Sequence, residues 1–303
     1  MHVSISIVGY RNADDIAACL RALEAGTYAD FSVFICENGG DDAFRRLVAA
    51  VPTRLAGGQT VTTHQAGGNL GFAGGVNVCL RSTPDADAWW VLNPDTQPDP
   101  DALGAMVARL NVGDVDAVGC TLYRETGEVQ SHGGRWRAWL ARAESIGNGS
   151  RLEAPVDGGA VERAQSFLNG ASMLVGRRFL ETVGPMREDY FLYAEESEWF
   201  LRAARHGMRL GFAPGARVKH AHGATTGSNA GLKSRPRLPI YLDERNRMLL
   251  TRDLFPGRLP VAAMAALGQL FMRYGRRGAW TQFNYGLSGW AAGLRNERGP
   301  PAS

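Results

Sequence analysis

The sequence predicts an α/β fold, a mostly parallel sheet flanked by helices with a C-terminal helical segment, and three observations carry that prediction. Through the first 122 residues, short apolar runs alternate with amphipathic stretches. From Leu238 onward the pattern is helical, interrupted only at Pro256 and Pro260. The composition over 303 residues, 45% apolar and 21% charged, is that of an ordinary globular chain able to bury a full core.

The elements follow in order. "VSISIV" (Val3 to Val8) reads as a strand. Asp14 and Asp15 then stand where a helix begins, and Ile16, Leu20 and Leu23 recur at helical spacing until Gly26. "FSVFIC", "TVTTHQ", "AWWVLN" and "AVGCTL" repeat the strand signal between helical or glycine-rich segments. In such sheets ligands collect at the carboxyl ends of the strands. Residues 124–165 are richer in Gly, Arg and polar residues and weaker in periodicity, which predicts a mobile excursion. "SFLNGASMLVGR" predicts a further strand, Glu195 to His206 a helix, and "RLGFAPGARVKH" two short strands broken at Pro214. No period of 20 to 50 residues repeats, so a solenoid is excluded.

Four stretches bear chemistry. In "LNPDT" a strand ends at Asn93, and Pro94 turns the chain so that Asp95 stands at the strand's carboxyl end. Asp95 suits a hard divalent cation, although an Asn-Pro-Asp turn needs no metal. "NLGFAGGVN" (Asn69 to Asn77) places three glycines where a strand gives way to a helix, either a phosphate-binding backbone or a plain glycine turn, and it is neither a Walker loop nor a dinucleotide fingerprint. "YFLYAEESEWFLRA" carries Glu195, Glu196 and Glu198. Glu198 can pair with Arg202 one helical turn on, whereas Glu196 lacks such a partner and is the better general base. "VKHAHGATTG" presents His220 and His222 at a strand end, as ligands or as structural imidazoles.

Taken together, the order and spacing of these stretches resemble the inverting nucleotide-sugar glycosyltransferases of family 2, in particular their rhamnosyltransferase-like and galactofuranosyltransferase-like branches. The resemblance runs from Val3 to about Arg252, through "VSISIVGYRN", "ICENGG", "NLGFAGGVN", "LNPDT", "FLNGASMLVGR", "FLYAEESEWFLRA", "VKHAHGATT" and "YLDERNRMLL". It implies a GT-A fold over residues 1–255, with a nucleotide-binding half over about 1–122, an acceptor and catalytic half over 123–255, and a helical extension over 256–303. It also implies a nucleoside diphosphate sugar donor, with dTDP-L-rhamnose as leading guess and UDP-sugars next, and a hydroxyl acceptor on a glycan, lipid-linked glycan or natural product.

On this resemblance Glu196 is the acceptor-activating base, with Glu195 beside it. Val8, Tyr10 and Glu37 hold the nucleobase; Asn69, Gly74, Asn77 and Asn93 line the ribose and diphosphate. Asp95 and His220 bind Mg²⁺ or Mn²⁺, and Gly170 and Trp199 face the acceptor, Trp199 being equally suited to a core. The chain departs from the family in having Glu195-Glu196-Ser197-Glu198 for Glu-Asp-x-Asp, Glu37 for an aspartate, and Asn93 for the first aspartate of the metal motif. A sugar-phosphate nucleotidyltransferase, which can share the architecture, would need a Gly-rich, Arg-containing loop where "GYRNADD" stands. A catalytically inactive nucleotide-sugar-binding protein is the other alternative.

A formal net charge of +3 is too weak to indicate nucleic-acid binding. Arg273, Arg276, Arg277, Arg295 and Arg298 nevertheless crowd the C-terminal end, which can meet an anionic surface. The apolar run Leu259 to Met272 contains Gln269 and is too short to span a bilayer. It either packs as a helical hairpin on the catalytic domain or a second subunit of a homodimer, or lies peripherally in a membrane interface. No signal-peptide pattern is visible at the N-terminus, and the four cysteines lack metal or disulfide spacing. The expected location is the cytoplasm, with peripheral attachment at the inner face of the plasma membrane as the extended form of that expectation.

Overall fold

The computed structural model describes residues 1–221 and 230–301. The first half alternates β1 (Val3–Gly9), α1 (Ala13–Glu24), β2 (Phe31–Glu37), α2 (Asp41–Ala50), β3 (Val61–Gln65), α3 (Gly71–Ser82) and β4 (Ala88–Leu92). There follow β5 (Thr96–Pro98), α4 (Ala102–Asn111), β6 (Ala117–Tyr123), β7 (Val129–Ser131), β8 (Gly134–Arg137), β9 (Arg142–Ser145) and α5 (Gly158–Ala164). The remainder comprises β10 (Ser172–Gly176), α6 (Arg177–Val183), α7 (Glu195–Arg205), β11 (Leu210–His220), α8 (Arg237–Leu254), α9 (Leu259–Arg273) and α10 (Trp280–Leu294).

The main sheet runs β3-β2-β1-β4-β10-β6-β11-β5, with β7 on β6. Its first four strands are parallel; β10 enters antiparallel between β4 and β6, and β11 returns parallel to β6. Along β4 the side chains alternate, so Trp90 and Leu92 join the core under α1 and α4, while Trp89 and Val91 join the core under α3, α6 and α7. Burial on both faces explains the unbroken apolar run "AWWVL".

One local expectation is corrected, and a second segment gains detail. Residues 210–220 form one strand rather than two, because Pro214 falls where the pairing with β6 shifts register between Phe212 and Arg217 and no ladder hydrogen bond is required of it. The segment 124–165 carries elements that weak periodicity did not announce: β7 extends the main sheet, β8 and β9 form a hairpin, and Asp157 caps α5 through its side chain on Ala160 N at 3.0 Å.

The C-terminal helices pack on α8. Gly286, Gly289 and Gly293 line one face of α10. A Cβ at Gly289 or Gly293 would collide with the carbonyl oxygens of Tyr241 and Arg245 in α8. Helix-to-backbone contact this close requires glycine, so Gly289→Val is expected to separate α10 from α8 and to cost roughly 2–3 kcal/mol, as overpacking does. Urea denaturation of the variant checks it; an unchanged midpoint would contradict the contact.

Candidate active site

The carboxyl ends of β1, β2 and β4 and the N-terminus of α3 meet at one edge of the sheet. Asn38, just after β2, donates from Nδ2 to Gly71 O (2.8 Å) and its N–H to Gly9 O (2.8 Å), tying three of these ends together. Val8 is half-buried against Gly75 of α3, and Tyr10 is exposed with the Arg11 guanidinium over its ring. Glu37 is fully buried: Oε1 accepts from the backbone N–H groups of Gly39 (2.7 Å) and Arg11 (3.1 Å), whereas Oε2 is buried with no protein partner. A buried carboxylate oxygen without a donor at a strand's carboxyl end is suited to a ligand N–H. Asn69 is exposed and turns the chain into α3 by accepting from Gly71 N (3.1 Å).

Gly74 and Asn77 face elsewhere than expected. Asn77 is buried, its Nδ2 bonded to Met186 O (2.8 Å) and Glu188 Oε1 (2.9 Å) and its Oδ1 accepting from Met186 N (3.0 Å). With both amide hydrogens committed inside the protein, Asn77 holds the 186–188 segment and has none left for a diphosphate. Gly74 looks toward Leu70 and the same Glu188 carboxylate.

At the end of β4, Asn93 is half-buried; its backbone N–H bonds Ala171 O (2.9 Å) and its carbonyl accepts from Thr96 Oγ1 (2.6 Å). This knits the Asn-Pro-Asp turn to β5, which pairs with the end of β11. Asp95 and His220 thereby meet, with Oδ1 3.3 Å from Nε2. On the other side of the ring, His220 Nδ1 lies 3.0 Å from Gln130 Oε1. In the tautomer that donates from Nδ1 to Gln130, the Nε2 lone pair faces the Asp95 oxygen. An imidazole oriented from behind in this way is the usual support of a metal ligand. The pair therefore fits a divalent ion that takes few protein ligands. Among the described residues no cluster of three or more His, Cys, Asp and Glu exists that could hold a metal. His222 lies outside the described residues.

The acidic motif opens α7. Glu198 is buried and doubly bonded to Arg202 (2.9 and 3.2 Å), as the one-turn spacing predicts. Glu195 is buried and its Oε2 has no partner; burial first, and the Glu196 charge second, push its carboxyl well above the usual range. Glu196 alone of the three lines a cavity of about 910 Å³, together with Trp136 from β8 and Asp243 from α8. Burial, with the Asp243 charge adding to it, raises its carboxyl as well. Gly170 adjoins it, since a Cβ there would sit 3.5 Å from Glu196 Cγ. Trp199 does not reach the cavity. It is fully buried against Phe179 and Phe200 with Nε1 on Gly184 O (2.8 Å), and is a core residue.

Two determinants escaped the sequence reading. The chain reaches Glu195 through Phe191, Tyr193 and Ala194, all at left-handed φ of 68–73°. Phe191 makes a tight turn in which Leu192 N bonds Tyr190 O (2.9 Å). The Asn246 amide nitrogen lies 2.7–2.9 Å from the carbonyl oxygens of Tyr190, Leu192 and Tyr193, and Arg245 Nε fixes that amide through Oδ1 (2.9 Å). The signal was present in "DERNR": Glu244, Arg245, Asn246 and Arg247 are polar yet all buried in α8.

Residues 2–237 match a family model described as "Glycosyltransferase like family 2". The hexosyltransferase Agl10 of low-salt glycan biosynthesis in Haloferax volcanii is 22% identical over 261 residues, covering 84% of this chain and 76% of that protein. Similar solved structures include the mannosyltransferase PcManGT from Pyrobaculum calidifontis in complex with GDP-Man and Mn²⁺ (TM-score 0.58, 17% identity, 97% of this chain and 87% of that one). GalNAc-T7 with UDP, GalNAc and Mn²⁺ is similar at TM-score 0.56 and 12% identity, over 82% of this chain and 51% of that one. S. aureus TarS 1–349 is similar at TM-score 0.55 and 11% identity, over 98% and 92% respectively.

Because burial keeps the folded Glu195 carboxyl protonated above its ordinary pKa, the folded state binds more protons than the unfolded one in that window, and stability falls as pH rises through it. We expect Glu195→Gln to remove this contribution, so that the variant loses less Tm than the parent between about pH 5 and about pH 8. Thermal unfolding at both pH values checks the sign; equal losses would contradict it.

Proposed function

This chain belongs to glycosyltransferase-like family 2, and from that premise we propose that it moves a sugar from a nucleoside diphosphate to an acceptor hydroxyl by a single in-line displacement that inverts the anomeric centre. The observation that carries this reading is the fate of the three motif carboxylates: one is paired, one is sealed, and Glu196 faces the cavity. Glu196 takes the proton of the acceptor hydroxyl as its oxygen bonds the anomeric carbon; the bond to the diphosphate breaks and the nucleoside diphosphate leaves with the electron pair. A raised carboxyl suits a base whose proton must be accepted near neutral pH.

Asp95 and His220 would hold Mg²⁺ or Mn²⁺, which when bound supplies positive charge to the departing diphosphate. Both ions remain open, and the Mn²⁺ in the titles of two similar structures supports a divalent metal. Val8, Tyr10 and Glu37 hold the base, with the free Glu37 oxygen accepting an imide or amide hydrogen, and Asn69 and Asn93 border the ribose and diphosphate. For the sugar, dTDP-L-rhamnose is the first donor to test on sequence resemblance. UDP- and GDP-sugars follow, since similar proteins were solved with UDP or GDP-Man.

The outer face of α9 supports a peripheral membrane contact in this reading. Val261, Met264, Phe271 and Met272 are exposed along it, and Trp280 stacks beside Phe271 (ring centroids 6.4 Å). Among the described residues no helix is long and apolar enough to cross a membrane.

Glu196→Gln should keep donor binding and lose roughly 10²-fold or more in turnover, as removal of a general base does. Thermal shift with nucleoside diphosphates alongside a transfer assay separates the two properties; near-normal turnover would remove Glu196 from this role. Asp95→Ala and His220→Ala should abolish the part of nucleoside diphosphate binding that depends on Mn²⁺, and Gln130→Ala should weaken it roughly 10-fold through loss of the ring's support. Titration calorimetry with and without Mn²⁺ reads this, and retained metal dependence in all three would refute the site. Met264→Ser combined with Phe271→Ser should abolish flotation with phosphatidylglycerol vesicles. Unchanged flotation, or dimerisation through this face in sedimentation, would refute the membrane contact.

A further inference from the structure

The cavity that holds Glu196 has a rim whose charge the transfer reaction does not use. Five arginines line it, from β9 (Arg142), α8 (Arg247), the end of α9 (Arg273) and the turn after it (Arg276 and Arg277). Two of them have carboxylate partners within the protein. Arg247 is buried and spent on Glu244 (3.0 Å to both oxygens), on Ala141 O and on Gln269 Oε1. Arg273 leans toward Asp243 at 3.8 Å. The guanidinium groups of Arg142, Arg276 and Arg277 make no ion pair or side-chain hydrogen bond among the described residues, though elsewhere in the chain arginines are commonly paired.

We propose that Arg142, Arg276 and Arg277 form a subsite for a phosphate or diphosphate ester carried by the acceptor, across the cavity from Glu196. This rests on the transferase reading above and names its acceptor class. Three guanidinium groups without an ion-pair partner in one cavity exceed what a neutral glycan needs, even with Glu196, Asp243 and Glu244 in the same lining. They match the two or three negative charges of a diphosphate, and the planar guanidinium fork binds phosphate oxygens in pairs. The geometry favours an amphiphilic ester over a free anion. Met272 lines the same cavity, and Phe271 and Trp280, half-exposed, continue the apolar surface outward from the arginine turn. An acceptor would place its phosphate on the arginines, its apolar tail along α9 and its glycan hydroxyl toward Glu196.

The test is titration of the full chain with geranyl diphosphate in EDTA, which silences metal-dependent binding at Asp95 and His220. The parent should bind, Arg276→Ala with Arg277→Ala should weaken binding at least tenfold, and geraniol should bind neither protein. Because the side chain of neither arginine is bonded among the described residues, the double variant should keep its Tm and its Mn²⁺-dependent nucleoside diphosphate binding, so failure here is distinguishable from failure of the transferase reading. Two further arms separate the sources of negative charge: glucuronate, and phosphatidylcholine vesicles with and without phosphatidylglycerol. The proposal is overturned if geranyl diphosphate does not bind the parent, if it binds the double variant equally well, or if the substitutions change only glucuronate or vesicle binding.

Discussion

The structure depends on the grip that α8 keeps on the five residues before the acidic motif. Left-handed backbone at Phe191, Tyr193 and Ala194 costs about 1 kcal/mol or more per residue. That conformation persists because every carbonyl from Tyr190 to Tyr193 has a donor. The two amide hydrogens of Asn246 serve those of Leu192 and Tyr193, Tyr190 O takes Arg245 (2.9 Å) with the Asn246 nitrogen also within reach, and the N–H of Phe72 at the start of α3 takes Phe191 O (2.9 Å). The approach of α3 is close enough that a Cβ at Gly71 would overlap the Phe191 carbonyl, and Gly71 itself has φ of 72°. One strained loop is thus bonded to α3 and to α8, the helix on which the C-terminal segment packs.

The same contacts govern the electrostatics. Ala194 ends the loop, and its carbonyl accepts the first bond of α7 from Glu198 N (2.8 Å). The direction in which the loop delivers the chain therefore decides which glutamate is sealed, which is paired and which faces the cavity. The helix N-terminus favours carboxylates there, yet burial dominates and raises both Glu195 and Glu196. The C-terminal tail supports the arrangement from outside: Arg298 bonds Asp189 (2.8 Å) and Asp253 (2.6 and 3.0 Å), and Gly299 O accepts from Arg245 (2.6 Å). Arg298, which looked on sequence like part of a basic end facing outward, is an internal strut.

That Asp95 and His220 belong together followed only from the family resemblance; sequence patterning made the α/β order and most strands legible, because each rests on local periodicity. The Glu198–Arg202 pair was legible for the same reason. The hold of Asn246 on a loop more than 50 residues earlier was not, since nothing local distinguishes an asparagine that bonds distant carbonyls from one on a solvated face. Asn77 was misplaced, and Trp199 was left open between cavity and core, because motif position says nothing about which way a helical side chain points once its helix is packed. Pro214 misled because a break in ladder register can absorb a proline without ending the strand. The glycines of α10 and the polar run of α8 stand in the sequence, but only the fold shows that they meet.

The claim at the centre of this account is that Asn246 acts on catalysis by holding the loop that aims Glu196. Steady-state kinetics of Asn246→Ala, with donor affinity measured on the same folded preparation, test it directly. The account predicts that kcat falls steeply while Mn²⁺-dependent nucleoside diphosphate affinity is unchanged. Retention of kcat, or a loss of donor affinity equal to the loss of kcat, would contradict it.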